Sequence, residues 1–349
     1  MTSNKMKKNK FHYLKHSLPG ILAFMLCISG VNAQQAIDIH SHNILPEYLE
    51  VLDRHDAALE ETFPLPHWEV ASHLKFMEAA GIEYSLLSMP APQPYFGDTE
   101  ESSRIIRRYN EASARLKSGH PRKFKFCASV PLPDVDAAIK EAIYALDTLH
   151  ADGIKLATNS RGQYLGDAEL DTLMEVLNER NAIIFIHPHR PTPYAPEIIA
   201  TTPLAIYEYP AETTRAVINM ISRNVLVRYP NVKVIVPHCG SFLPMAIPRM
   251  QSVHPAMLAQ KLMQPIDWKG NLAQLYYDLA GGPSPEIIKM LLTITTPEHI
   301  MYGSDYPYIA DKVLIGNLQQ MKAYLAEDKE LAPYSEKFLR GNALNLFKR

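Results

Sequence analysis

The chain has 349 residues, of which 47% are hydrophobic and 21% are charged, and its formal net charge at pH 7 is −2. These proportions are typical of globular proteins and exclude a disordered chain, a collagen-like repeat and a coiled coil. Because the charge is near zero and basic residues are not massed in the body of the chain, we expect no nucleic-acid partner.

The first 33 residues have the pattern of a secretory signal peptide. Five lysines between positions 5 and 15 precede an apolar run at 21–28, and Val31 and Ala33 are the small residues before a cleavage site. A membrane anchor is the alternative, but it needs about 20 apolar residues, and this run is far shorter. The sequence therefore predicts an exported protein, periplasmic or extracellular, that is free of the membrane after cleavage and has one domain at 34–349.

Short β-branched and aromatic runs alternate with helical patterns along the rest of the chain. The predicted strands are 36–40, 84–88, 124–130, 153–156, 182–186, 232–236, 275–279 and 300–304, and the predicted helices include 68–80, 102–117, 137–149 and 169–180. This alternation predicts a parallel sheet, and eight such units predict a (β/α)8 TIM barrel. An open doubly wound sheet is the alternative fold, although no G-x-G-x-x-G follows the first strand.

Two features lie between these elements. The proline-rich stretch 187–209 predicts a long loop after the fifth strand, and loops of that length are usually functional. Beyond the leader, the chain has two cysteines, Cys127 and Cys239. They are too few for a disulfide framework, and we expect two buried thiols, although spacing does not decide whether they meet.

Polar side chains gather where four of the predicted strands end. They are His40 and His42 after the first strand, His187 and His189 after the fifth, His238 after the sixth, and Asp305 after the eighth. In a parallel barrel these ends open on one face, which is where barrel enzymes have their active sites. Three imidazoles and a carboxylate brought together there fit a divalent metal such as Zn²⁺.

The histidines and the aspartate at the strand ends indicate a metal site only when they are taken together. A histidine pair with one intervening residue is expected by chance in a chain with 14 histidines, and a single histidine is ordinarily a hydrogen-bonded core or loop residue. In extended backbone, however, His40 and His42 point to the same side and can chelate one ion together. Because the other members end different strands, the set as a whole favours a metal site.

Several segments match a known enzyme family in consistent order. The first reads Ile-Asp-Ile-His-Ser-His at 37–42, and the others lie at 210–214, 229–234, 237–240, 303–307 and 341–343. Together they resemble aminocarboxymuconate-semialdehyde decarboxylase and its relatives in the amidohydrolase superfamily. The resemblance implies a distorted (β/α)8 barrel, one catalytic metal that is often zinc, and a homodimer.

The resemblance also implies roles for individual residues. The metal ligands fall on His40, His42, His187 and Asp305, and the catalytic histidine falls on His238, with Asp305 also able to carry a proton. The resorcylate-type decarboxylases of this branch usually have Glu in place of the first histidine, so His40 favours the aminocarboxymuconate-like or hydrolytic side. The loop at 187–191, with its Arg after His-Pro, looks more like the resorcylate type.

The substrate-binding residues depart from the family. The aminocarboxymuconate enzyme binds a substrate carboxylate with an Arg before the Trp of its first barrel helix, and the stretch 61–68 has no Arg. Arg190 is the candidate replacement, since guanidinium groups bind carboxylates in a bidentate manner, and His189 is a second candidate. A surface Arg on a long loop is the alternative interpretation of Arg190.

Two further residues at strand ends have open roles. Lys155 lies on the fourth strand, where other branches of the superfamily carboxylate a Lys to bridge two metals. We favour a mononuclear site, with Lys155 in an ion pair or directed at the substrate, over a binuclear one. Asp278 is a candidate to orient a ligand through a hydrogen bond, and a strand-end cap is its alternative role.

The ligand set is compatible with two reactions. One is the non-oxidative decarboxylation of a small unsaturated or aromatic carboxylate with a metal-activated water, which the motifs favour. The other is hydrolysis of an amide, ester or lactone, the majority chemistry of the superfamily. The predicted export weakens the case for decarboxylation, because the known relatives with that activity serve intracellular catabolism, but the motifs still favour it. A non-catalytic exported barrel that binds a carboxylate is the third hypothesis, and we rank it last because all five key positions are present.

Overall fold

The structure, a computed structural model, describes residues 34–348, and the predicted signal peptide at 1–33 lies outside them. Eight parallel strands form one sheet in which each strand pairs with the next in sequence. They are β1 (Ala36–His42), β2 (Ile82–Ser88), β3 (Phe124–Ser129), β4 (Gly153–Ala157), β5 (Ile183–His187), β6 (Lys233–Val236), β7 (Leu275–Asp278) and β8 (Ile300–Met301).

Hydrogen bonds between the first and last strands bring the edges of this sheet together. The amide of Ile39 donates to the carbonyl of Tyr302 at 3.1 Å, and the amide of Asp305 donates to the carbonyl of His40 at 2.8 Å. The sheet is therefore a nearly closed barrel, and the predicted (β/α)8 fold is confirmed over the open sheet.

Helices surround the barrel, with one or more in each of the connections between consecutive barrel strands. They are α1 (Pro46–Arg54), α2 (Val70–Ala80), α3 (Thr99–Gly119), α4 (Val135–Asp147), α5 (Asp171–Glu179), α6 (Glu208–Ser222), α7 (Val225–Arg228), α8 (Leu243–Ala259), α9 (Trp268–Leu272), α10 (Pro285–Leu291), α11 (Asp311–Glu327) and α12 (Asn342–Leu346). Among the described residues, none of the helices is sufficiently long and apolar to span a bilayer.

The hydrophobic residues separate into two layers because side chains alternate across each strand. Ile154 and Leu156 of β4 belong to the large layer between the barrel and its helices. Ile39, Cys127 and Phe185 belong to the smaller layer inside the barrel. The inner layer fills the barrel beneath the mouth, so that polar side chains at the strand ends rest on an apolar floor.

Some local structure differs from the sequence prediction. The last strand ends at Met301, and residues 303–305 form a turn, since Asp305 has a φ of 61°. A small hairpin pairs Asn159–Ser160 with Gln163–Tyr164 where no strand was predicted. The loop after β5 is confirmed, with only a short 3₁₀ turn at Leu204–Ile206 before α6. The predicted buried thiols are confirmed, as both described cysteines are buried and free.

One histidine of α2 is a neutral core residue. The indole N–H of Trp68 donates to Nδ1 of His73 at 3.1 Å, so Nε2 carries the proton and donates to the Ser85 hydroxyl at 3.2 Å. Burial, with the nearby His42 adding to it, lowers the pKa of His73 to about 3. Protonation would remove the acceptor that Trp68 uses, so folding requires the neutral ring.

We therefore expect His73 to make stability depend on pH. The pKa is about 3 in the folded chain and 6.5 as the reference for the unfolded chain, so the unfolded chain binds the extra proton as the pH falls below 6.5. The stabilisation is complete above that pH and falls by up to about 1.4 kcal/mol per pH unit below it. Urea unfolding at several pH values gives the free energy of unfolding as a function of pH. Below pH 6.5 this free energy should fall less steeply with decreasing pH for His73→Gln than for wild type. His67→Gln, which removes an exposed histidine, is the control, and equal slopes for wild type and His73→Gln would contradict the assignment.

Candidate active site

Four side chains far apart in the sequence converge at the mouth of the barrel. His40 and His42 lie at the end of β1, His187 ends β5, and Asp305 lies in the turn after β8. One potential ligand atom from each lies within 4.8 Å of those of the other three. The residues predicted to bind a metal are therefore brought together, and three imidazoles with one carboxylate suit a divalent ion.

An irregularity in β1 brings His40 to the inside of the barrel. The register between β1 and β2 shifts between Asp38 and Ser41. Ile39 packs in the inner core, and the ring of His40 lies 4.8 Å from that of Phe185 in the same layer. Two successive residues thus face inward, which a regular strand does not allow.

A buried carboxylate supports this irregular strand. Asp38 accepts hydrogen bonds from the amide of His40 at 3.1 Å and from the amide of Ser304 at 2.9 Å. The Ser304 hydroxyl also donates to it, at 2.5 Å. Asp38 therefore connects the ligand-bearing end of β1 to the turn that carries Asp305.

Hydrogen bonds at Nδ1 orient the three imidazoles. Nδ1 of His40 lies 2.8 Å from an Asp278 carboxylate oxygen, and Nδ1 of His42 lies 3.2 Å from the carbonyl oxygen of Ser88. Nδ1 of His187 lies 3.0 Å from the carbonyl oxygen of Pro188. In the neutral imidazole, an Nδ1–H that donates to an oxygen leaves Nε2 with the lone pair that a metal requires.

Asp278, at the end of β7, links two parts of the site. One of its oxygens accepts from His40, and the other accepts from the amide of His238 at 2.8 Å and from the amide of Ala280 at 3.0 Å. The carboxylate therefore both orients a ligand and caps the strand end, so the two roles considered from the sequence coexist.

The charges at the site match what a cation needs. Burial raises the pKa of Asp305, but His40, His238 and His42 outweigh it and hold that pKa well below its usual value. Burial lowers the pKa of His40, yet Asp278 and Asp305 raise it to about 9. Burial keeps the pKa values of His42 and His187 low. A divalent cation would therefore find two neutral imidazoles and a carboxylate as ligands. The negative charge around His40 would stabilise the cation further.

The position of the Nε2 atoms supports the same assignment. Nε2 of His40 is buried and makes no hydrogen bond to any described residue, although it lies 3.3 Å from Oδ1 of Asp305. Nε2 of His42 lies 3.1 Å from the same oxygen. A buried polar atom without a hydrogen bond is costly, and a metal ion would satisfy it. The residues present therefore fit a metal.

His238 lies beside this cluster on a strained turn. Its Nε2 is 3.6 Å from Oδ2 of Asp305, and its buried Nδ1 has no hydrogen-bond partner among the described residues. His238, Cys239, Gly240 and Ser241 all have φ between 55° and 72°. Such backbone is unfavourable for residues with a side chain, and strain of this kind concentrates at functional sites. The turn places an imidazole next to the carboxylate that could exchange a proton with it.

The loop residues predicted to bind substrate are engaged with two glutamates. The guanidinium of Arg190 donates to Glu60 at 2.6 Å, and its amide donates to Glu61 at 3.0 Å. Nδ1 of His189 forms a short ion pair with Glu61. A substrate carboxylate would have to displace Glu60 to reach Arg190, so substrate binding by this pair stays a prediction. Sequence reasoning missed both glutamates because a separation of about 130 residues has no local signal.

Aromatic rings form part of the wall around the ligands. The ring of Tyr308 lies 5.6 Å from that of His42, and the ring of Tyr209 lies 6.2 Å from that of His187. Phe63 lies 6.1 Å from Tyr308. These planar surfaces, which the sequence did not indicate, suit a flat apolar ring with polar substituents.

A parallel barrel with an Asp and three His at the carboxyl ends of its strands defines a class of metal-binding barrel enzymes. The profile of the amidohydrolase family matches residues 37–349, and the chain belongs to this family. The family predicted from the sequence motifs is confirmed, and the chain is an enzyme.

The chain is similar to several decarboxylases. It is 32% identical over 327 residues to decarboxylase yanB of Aspergillus niger, covering 90% of this chain and 87% of that protein. It is 30% identical over 319 residues to 6-methylsalicylic acid decarboxylase of Penicillium expansum, covering 90% and 96%. A solved structure of an amidohydrolase II is 32% identical, with a TM-score of 0.81 over 90% of this chain and all of that one.

The metal itself is not fixed by these findings. A solved 5-carboxyvanillate decarboxylase from Novosphingobium aromaticivorans contains manganese; it is 21% identical with a TM-score of 0.79, covering 92% of this chain and 99% of that one. The site here is a candidate for one divalent ion held by His40, His42, His187 and Asp305. Zinc, expected from the sequence, stays a prediction.

Metal analysis separates ligands from the neighbouring histidine. We expect the purified wild-type protein to contain about one divalent ion per chain, and His187→Ala to lose it, because removing one of four ligands weakens chelation. His238→Asn should retain the ion, since His238 lies outside the ligand set. Elemental analysis of the three proteins measures this. Equal metal content in wild type and His187→Ala would remove His187 from the site.

Proposed function

We propose that this protein is a metal-dependent decarboxylase that removes CO₂ from a small aromatic or unsaturated carboxylate without an oxidant. The observation that carries the proposal is the contact between Asp305 and His238 at the edge of the metal-binding cluster. It supplies a proton-carrying pair beside the ion site. The names of the similar proteins, 6-methylsalicylic acid decarboxylase among them, support an aromatic carboxylate as substrate.

The ion, when bound, would supply Lewis acidity toward substrate oxygens and lower the pKa of a water molecule toward neutrality. His40, His42, His187 and Asp305 would hold it. Asp278 orients His40 and fixes the position of the His238 backbone through its two oxygens. The aromatic side chains Tyr308 and Tyr209 bound the space in which a planar substrate would lie.

The reaction itself needs one proton delivered to carbon. Asp305 and His238 can hold and exchange that proton between Oδ2 and Nε2, which are 3.6 Å apart. The proton adds to the ring carbon that bears the carboxylate, and a C–H bond forms. The C–C bond to the carboxylate then breaks, its electron pair returns to the ring, and CO₂ leaves. Overall the carboxylate and one proton become the descarboxy product and CO₂.

A panel of substrates distinguishes decarboxylation from hydrolysis. We expect CO₂ release from 6-methylsalicylate or 2,6-dihydroxybenzoate and no acid release from amides, esters or lactones. CO₂ would be followed by a coupled assay and product by chromatography. Acid release from the amides, esters or lactones without CO₂ would show that the hydrolytic alternative is correct. Binding of carboxylates without either reaction would support the non-catalytic barrel.

Substitutions in the proton-carrying pair test the assigned roles. His238→Asn should lower kcat about 100- to 10,000-fold while leaving the metal content intact, because only the proton transfer is affected. Asp305→Asn should lower both activity and metal content, since Asp305 serves as ligand and proton carrier. His254→Asn, on the distant helix α8, is the matched control and should keep wild-type kcat. A wild-type kcat in His238→Asn would exclude it from the chemistry.

We also propose that the protein is exported and acts as a homodimer. Export rests on the leader pattern at 1–33, and dimer formation rests on the family resemblance. N-terminal sequencing of the protein secreted from an expressing cell would show a start at Gln34. Light scattering coupled to gel filtration would give twice the mass of one mature chain.

A further inference from the structure

Lys155 is a cation inside the barrel rather than on its surface. Its strand neighbours Ile154 and Leu156 face the outer core, so Lys155 faces inward. In the sheet it is paired with Phe185 of the inner core, and the next inward residue of β4, Ala157, is paired with the ligand His187. The side chain therefore begins inside the barrel, one inward-facing residue below the level of the ligand His187.

The ammonium group of Lys155 has no hydrogen-bond or ion-pair partner among the described residues. Lys155 is the only lysine or arginine among the buried residues of the described chain, with 4% of its surface exposed. Within that part of the chain it makes no hydrogen bond and no ion pair. Burial of a charge without a partner is costly, and such groups are retained where a ligand completes them.

The charge of Lys155 is coupled to groups of the site. Burial lowers the pKa of Lys155 to about 8, while the nearby Glu61 acts to raise it. Lys155 in turn contributes to the low pKa of His187. Glu61 makes no hydrogen bond or ion pair with Lys155. One of its oxygens accepts from the amide of Arg190 and the hydroxyl of Tyr209, and the other lies in a short contact with Nδ1 of His189.

A second polar group on the neighbouring strand is also unpaired. Ser129 of β3 is the register partner of Lys155, and it faces inward like Cys127, two residues earlier. Its buried hydroxyl has no hydrogen-bond partner among the described residues. Ser129 and Lys155 line a small cleft together with Gln93 and Leu132. A hydroxyl and an ammonium that line the same cleft, both without a partner among the described residues, suit an anionic oxygen.

Two other cations, Arg190 and Arg161, are already paired with a protein carboxylate. Arg190 is bound to Glu60, and Arg161 is bound to the same carboxylate at 3.2 Å. A substrate carboxylate would have to compete with Glu60 for either guanidinium. At Lys155 it would displace no protein carboxylate.

We propose that Lys155, assisted by the hydroxyl of Ser129, binds the carboxylate of the substrate from the floor of the active site. This proposal deepens the proposed function and rests on it. It replaces the arginine contact expected from the sequence with a lysine on β4. The carboxylate keeps its charge until the C–C bond breaks, so the contact strengthens substrate binding more than it accelerates the chemical step.

The test compares an acid with the same molecule lacking its carboxylate. The mature, metal-loaded protein and its variants are titrated with 6-methylsalicylate. If the acid is turned over, KM is measured; if it is not, Kd is measured by calorimetry. The inhibition or dissociation constant of 3-methylphenol is measured in parallel. Lys155→Met should raise the constant for the acid about 10- to 100-fold, as loss of a charge-assisted hydrogen bond does. The constant for 3-methylphenol should change by less than about threefold, and kcat should change much less than KM.

Further variants separate binding from structure. Ser129→Ala should weaken acid binding about fivefold, and Lys155→Arg should retain part of the affinity because it keeps the charge. Lys125→Met removes a lysine that is paired with Asp152 away from the site, and should leave both constants unchanged. Lys155→Met should melt no lower than wild type, since it removes an unpaired buried charge. If Lys155→Met does not fold, Ser129→Ala and Lys155→Arg carry the test.

The outcomes that overturn the proposal are distinct from failure of the proposed function. Equal changes for the acid and for 3-methylphenol, or no change for either, would show that Lys155 does not bind the carboxylate. A loss of metal in Lys155→Met would show that Lys155 contributes to metal binding, as the lysine of a binuclear site does. Absence of CO₂ release by wild type would overturn the proposed decarboxylase function. Calorimetry with the same ligands would still measure whether Lys155 contributes to binding of the carboxylate.

Discussion

The site depends on one buried carboxylate, that of Asp278. It is fully buried, and both oxygens accept hydrogen bonds, one from the ring of His40 and the other from the backbone amides of His238 and Ala280. A buried carboxylate is tolerated only when its oxygens are satisfied in this way. By satisfying Asp278, the chain fixes the tautomer of a metal ligand and the position of the neighbouring histidine at the same time.

Two other buried carboxylates have different tasks. Asp38 holds β1 in its irregular register and joins it to the turn after β8. Glu61 holds the loop after β5 by its contacts with His189, the amide of Arg190 and Tyr209. These buried carboxylates therefore mainly hold parts of the site in position. The cation Lys155, in contrast, has no bonded partner in the described chain. This contrast indicates that Lys155, rather than one of these carboxylates, is available to a ligand.

The distribution of charges is consistent with the chemistry. Two of the histidines that would bind the ion, His42 and His187, are held neutral mainly by burial, while the third, His40, is drawn toward the charged state by Asp278 and Asp305. A cation at the mouth, a proton-carrying pair at its edge and an ammonium group toward the floor would act on different parts of one substrate. Such a separation lets the same barrel orient an acid and deliver a proton to it.

The sequence by itself determined the barrel, the family and the candidate metal ligands, because strand periodicity and the residues at strand ends are local properties of the chain. Each of His40, His42, His187 and Asp305 follows an apolar run, and parallel packing brings all such ends to one face. Only the tertiary structure decided how Arg190, His189 and Lys155 are used. Glu60 and Glu61, which contact Arg190 and His189, and Ser129, which is paired with Lys155 in the sheet register, lie elsewhere along the chain. No local pattern encodes a contact between distant side chains. A charge is paired or free according to its neighbours in space, and that is settled only when the chain has folded.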